Sequence, residues 1–229
     1  YGFSDVPNID QGRLNKRTSR QAANRGDMTT GDITRTMLVF AVPMILGNLL
    51  QQCYNIADTL IVGRFLGAGA LAAVGSAYTL MVFLTSILLG LSMGSGAVFS
   101  IRFGEKNPDR LRNSIFISFI LISMVTIALT SFSILCIDGI LRLLRVPADI
   151  YPVMKEYVRI IFYGIVFTFL YNYFACLLRA VGDSITPLVF LAISTVVNIV
   201  LDVVLIVVYH MGVGGAALAT VIAQALAGI

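Results

Sequence analysis

The chain has 229 residues, of which 58% are hydrophobic and 12% charged, with a formal net charge of +4 and one histidine. Ordinary soluble domains carry roughly 25% charged residues, so this composition excludes a protein that exposes most of its surface to water. No charged residue falls in 65–101, 113–137, 160–178 or 184–201, and a spanning helix needs about 20 such residues.

Residues 1–35 differ from the rest. They are polar and carry Arg13, Lys16, Arg17, Arg20, Arg25 and Arg35 without an apolar core, which is neither a signal peptide nor a span. The expectation is a solvated cytoplasmic arm that touches anionic headgroups, with no nucleic acid as partner. The chain opens on Tyr1 and stops at Ile229 inside an apolar stretch, which suggests a piece of a longer protein. Cys53, Cys136 and Cys176 fall in separate apolar segments without metal-like spacing and read as reduced core residues.

Six helices are predicted within 36–229, over 36–62, 71–100, 114–137, 157–178, 186–209 and from 213 onward. Pro187 suits a first helical turn, Gly67 and Gly69 break the first hairpin, and Gly212, Gly214 and Gly215 break the last. Pro43 lies within the first span, where a kink is expected. With the arm inside, the inner segments hold its six bases plus Arg102, Lys106, Arg110, Arg112 and Arg179. The outer ones hold Arg64, Arg142, Arg145, Lys155 and Arg159. Eleven against five favours a cytoplasmic N-terminus, although the cluster at 142–159 dissents. Arg102 to Pro108 and Arg179 to Pro187 echo each other, each running Arg, Gly, an acid and then Pro.

Two carboxylates lie inside predicted spans, Asp58 in the first and Asp202 in the fifth. A charge at a helix centre costs about 2.5–3.5 kcal/mol on insertion scales, which makes each a functional candidate. Both helices start on the same side, so both acids reach the outer half of the membrane and can share a cavity. Asn48, Gln51, Gln52, Asn55, Asp58 and Thr59 recur at intervals of three and four, on a face expected to turn away from lipid. Ser194, Asn198 and Asp202 make a second stripe, and Thr220 in the sixth span lies at comparable depth. Uncharged members of these stripes can equally be hydrogen-bonding glue between helices, and Tyr54 can line a cavity or join an interfacial belt. For the acids, charge can follow occupancy by a bound cation, which is the chemistry of a coupling site. Asp138, Asp149, Asp183 and Glu105 read as solvated caps.

The run from Ala41 to Gly63, with Pro43, Gly47, Gln51, Tyr54, Asn55 and Asp58, resembles the first helix of the multidrug and toxic compound extrusion (MATE) family. Leu66 to Val74, Val146 to Ile160, Leu178 to Pro187 and Asn198 to Asp202 extend the resemblance in the same order. It implies an all-α membrane protein, the six-helix N-lobe of a twelve-helix, two-lobe transporter whose C-lobe is missing here. The implied activity is antiport across the plasma membrane of a prokaryote. Organic cations or other amphiphilic drugs would leave in exchange for H+ or Na+, with no enzyme activity and no cofactor beyond the coupling ion. By position, Asp58, Asn198, Asp202 and Thr220 match the family's cation and proton site, and would ligate Na+ were sodium the ion. Asn172 matches a cavity residue, to be joined by Gln51, Tyr54 and Asn55 around the substrate. The implied cycle has ion binding at the acids rearrange the first helix about Pro43.

Two rivals remain. A flippase of the same superfamily, moving a lipid-linked or polysaccharide precursor, would want a basic cavity, whereas the predicted spans hold acids and, but for Arg159 at the outer edge of the fourth, no Arg or Lys. An intramembrane aspartyl protease would use two membrane aspartates. However, Ala180-Val181-Gly182-Asp183 lacks the first glycine of a Gly-x-Gly-Asp motif and lies at a span end.

Overall fold

The computed structural model describes residues 33–228; the expected polar arm over 1–35 lies, but for its last three residues, outside them. Among the described residues the chain is helical throughout, with no strand. Helix α1 (Ile33–Gly104) contains one residue with non-helical torsions, Gly67 at φ 85° and ψ −178°. A straight helix of its 72 residues would run about 108 Å at 1.5 Å per residue, far beyond a bilayer core of about 30 Å. The break at Gly67 therefore divides it into two apolar arms. A Cβ-bearing residue seldom adopts such a φ, so glycine is required there. Gly69 stays helical, contrary to expectation, and Pro43 lies inside the helix with helical torsions.

Helix α2 (Pro108–Leu135) begins with proline at its first position, where the missing N–H is not needed. Asn107 caps it by accepting from the Arg110 amide at 3.1 Å. Cys136 turns the chain into the short α3 (Ile137–Leu143), absent from the sequence-based reading. Helix α4 (Tyr151–Ala180) is the most buried of the long apolar helices. Helix α5 (Ile185–Val203) continues as a π-helical turn over Val204–Val208. After Gly212, at φ 61°, helix α6 (Gly212–Gly228) returns along α4 and α5.

The echo between 102–108 and 179–187 is realised as one device used twice. Each helix ends on a left-handed residue, Lys106 at φ 53° or Gly182 at φ 93°, followed by an Asn or Asp that caps the next helix. Asp183 Oδ1 accepts from the Ile185 and Thr186 amides at 3.1 and 3.0 Å, and Oδ2 from the Thr186 hydroxyl at 2.6 Å.

Glycine packing fixes α6 against α4. A Cβ on Gly164 would collide with Val221, and one on Gly228 would stand 3.1 Å from the Phe167 carbonyl oxygen. Gly214 and Gly215 are buried inside α6 rather than breaking it; their task is close approach, to Glu156 and to Leu205 of the π-turn. A buried cluster joins both arms of α1 to α2, α4 and the start of α6, including Val62, Leu88, Phe99, Ile122, Phe162 and Ala216. Of the cysteines, all free, only Cys176 is buried; Cys53 is exposed, against the expectation of a core residue. Large apolar side chains line the outside of α1, α2 and α5, among them Leu60, Phe83, Phe116, Met124 and Val196. Such a surface needs hydrocarbon around it.

Candidate functional site

The α-helical repeat sorts the polar residues of α1 into two neighbouring stripes. Gly47, Gln51, Tyr54, Asp58 and Val62 face inward, with Gly47, Tyr54, Asp58 and Val62 buried and Gln51 half-buried. Asn48, Gln52 and Thr59 are exposed and Asn55 is half-buried beside them. The polar face expected to turn away from lipid is thus only partly buried within this chain. Asn55 instead donates to Gln52 Oε1 at 3.1 Å, and the Thr59 hydroxyl donates to the Asn55 carbonyl at 2.7 Å.

Asp58 meets Asp202 from α5. The two carboxyl groups are side by side, and both residues are buried. Asn198, one turn before Asp202 on α5, is fully buried. Tyr54 lies one turn before Asp58, with its hydroxyl beside half-buried Thr220 of α6. Four predicted residues, Asp58, Asn198, Asp202 and Thr220, therefore lie on three helices that pack together, and Tyr54 joins them.

The electrostatics of this cluster are incomplete. Among the described residues, Asp58 Oδ1, both Asp202 oxygens, both polar side-chain atoms of Asn198 and the Tyr54 hydroxyl have no hydrogen-bond partner. Buried polar atoms are almost always satisfied, and two adjacent carboxylates cannot both keep their charge in a dry interior without a cation or a shared proton. Carboxylate, amide and hydroxyl oxygens are hard donors suited to a proton or a small hard cation. Among the described residues no three His, Cys, Asp or Glu side chains gather into a metal-holding group.

Asn172 is not part of this cluster. It is half-buried and donates to the Thr168 carbonyl at 2.8 Å, roughly 22 Å along α4 from Tyr157 at the helical rise. Ser194, by contrast, acts as the glue that its stripe allowed, donating to the Ala223 carbonyl at 2.6 Å.

Two features escaped the sequence reading. Tyr157 of α4 is buried within range of Asp58, Tyr54 and Asp202, but in sequence it marks only the start of an apolar run. The π-turn begins two residues beyond Asp202, and such turns favour functional sites. Nothing in Val204-Leu205-Ile206-Val207-Val208 announces it.

Apolar helices of spanning length around a buried acidic pair define a multi-spanning α-helical membrane protein. The MatE family model matches residues 43–204, and the chain belongs to that family. It is 34% identical over 201 residues to the probable multidrug resistance protein YpnP of Bacillus subtilis, covering 88% of this chain and 45% of that protein. It is 38% identical over 194 residues to the probable multidrug resistance protein YoeA of the same organism, covering 83% and 42%. A MOP superfamily transporter from Pyrococcus furiosus, whose reversed pocket polarity is said to suggest a different function, superposes with a TM-score of 0.81. It shares 27% identity, over 86% of this chain and 44% of the other. The chain spans less than half the length of these relatives. Their names are those of transporters and resistance proteins, not of enzymes, and the protease reading is set aside.

Proposed function

We propose that the chain is the N-terminal lobe of a secondary antiporter that exports amphiphilic or cationic small molecules in exchange for H+ or Na+. In this reading the two arms of α1 with α2, α4, α5 and α6 are six spans of a twelve-helix, two-lobe protein. It sits in a prokaryotic plasma membrane with its N-terminus in the cytoplasm, as the distribution of basic residues favours. Asp58 and Asp202 take up the coupling ion, with Asn198 and Thr220 supplying further oxygens if that ion is Na+. The exposed stripe of Asn48, Gln52 and Thr59, with Gln51, Tyr54 and Asn55 beside it, faces the substrate path and the second lobe.

The observation that carries this reading is the buried, unpartnered acid pair contributed by two helices far apart in sequence. Coupling requires ion and substrate to prefer different states, because a ligand that binds both equally shifts nothing. A flippase of a polyanionic precursor would instead call for bases where these acids stand. The test is transport in vesicles by the full-length protein under an imposed H+ or Na+ gradient. Asp58→Asn and Asp202→Asn should each strongly reduce gradient-driven export, and undiminished export by both variants would remove the pair from the mechanism.

A further inference from the structure

A groove of about 550 Å³ opens between the start of α2 and the end of α4, away from the acid pair. Its polar end is formed by Asp109, Arg112 and Asn113, and its walls by Phe116, Phe119 and Phe174. Phe116 is 64% and Phe174 42% exposed. The Tyr173 hydroxyl at its floor is already engaged, donating to the Ile115 carbonyl at 2.7 Å, so the floor offers an aromatic ring and no free polar group.

The segment that leads into the polar end is net basic. Residues 102–112 hold four bases, Arg102, Lys106, Arg110 and Arg112, against two acids, Glu105 and Asp109. Glu105 holds Arg102 at 3.0 Å and approaches Arg110 at 3.9 Å, while Arg112 has no ion pair among the described residues. A guanidinium at a helix end beside a membrane-facing aromatic trough matches a phosphodiester above an acyl chain, as basic pockets between spanning helices do.

We infer that this groove binds an anionic phospholipid, with its phosphate on Arg112 and an acyl chain along Phe116 and Phe119. The site is separate from the acid pair and does not depend on the exchange reading. Native mass spectrometry of the purified protein, titrated with phosphatidylglycerol or phosphatidylcholine, tests it. Phosphatidylglycerol should be retained several-fold more than phosphatidylcholine. Arg112→Ala should lower that retention about five-fold, the worth of one basic residue near an anionic headgroup, whereas Arg142→Ala, in α3 beyond the far end of α2, should leave it unchanged. Equal retention of the two lipids, an Arg112→Ala variant that binds like the parent, or equal losses in both variants would overturn the assignment.

Discussion

Ser194 of α5 donates its hydroxyl to the Ala223 carbonyl of α6 at 2.6 Å, a bond between two buried residues of neighbouring helices. It fixes the level at which the helices meet. Asn198 and Asp202 follow Ser194 at one-turn intervals along α5, while Thr220 precedes Ala223 by one turn on α6. Ser194→Ala should therefore cost about 0.6 kcal/mol, the average for such bonds in a membrane bundle. It should weaken ion coupling far less than a change at either aspartate; unfolding in mixed micelles alongside vesicle transport separates the two effects.

The two acids should act as a unit. With one carboxyl removed, its neighbour has no like charge beside it and the shared occupancy is already lost, so the second substitution has little left to remove. The double variant Asp58→Asn with Asp202→Asn is expected to transport no worse than the more damaged single variant. Additive losses would mean that the two groups serve separate steps.

Gly164 tests the packing that holds α6 in place. Gly164→Ala puts a methyl against Val221 and should destabilise the bundle by about 1–3 kcal/mol, as overpacking of a close contact does. Adding Val221→Ala should restore most of that loss in a thermal melt, because the space is returned from the other side.

Asp183 and Asp138 give distinct surface predictions. Asp183→Ala removes the cap of α5 and should cost about 1 kcal/mol, with Asp183→Asn milder because an amide oxygen can still accept. Burial raises the Asp183 carboxyl, but the Thr186 hydroxyl and the Thr186 and Ile185 amides outweigh it, and the group lies below its ordinary value.

At Asp138, Lys155 Nζ at 2.6 Å, and then the Tyr151 hydroxyl, hold the carboxyl below its ordinary value. A depressed carboxyl contributes stability that is complete above its unfolded value of about 3.9 and is lost as pH falls through the folded one. Asp138→Asn should therefore flatten the acid limb of a melting profile below about pH 4, and the difference should shrink in high salt because the pair is exposed.

Much of this architecture was legible in the sequence because hydrocarbon is an unforgiving solvent. Charge-free runs marked the long helices, and Asp58 and Asp202 stood out because acids are expensive there. Helical spacing also joined Asn198 to Asp202. What spacing could not give was the inward direction of a polar face. Gln51, Tyr54 and Asp58 turn in, while Asn48, Gln52 and Thr59 turn out, and a wide stripe does not reveal its own centre. Asn172, expected as a cavity residue, lies several turns from the acid pair and is half-buried. Gly214 and Gly215 looked like helix breakers because glycine serves turns and close contacts alike; only the approach of Glu156 and Leu205 shows which. Tyr157 was hidden by being aromatic in an aromatic-rich helix.

The widened turn at Val204–Val208 closes with the Tyr209 amide bonded to the Val204 carbonyl at 3.0 Å, a loop one residue larger than an ordinary helical turn. That extra residue rotates everything after it by about 100° relative to a regular helix. A wheel projection drawn through 185–209 in one phase therefore misassigns the faces of its final residues. A one-residue deletion within the segment would re-phase Tyr209 and the approach of Gly215 to Leu205, while leaving the acid two positions upstream where it stands.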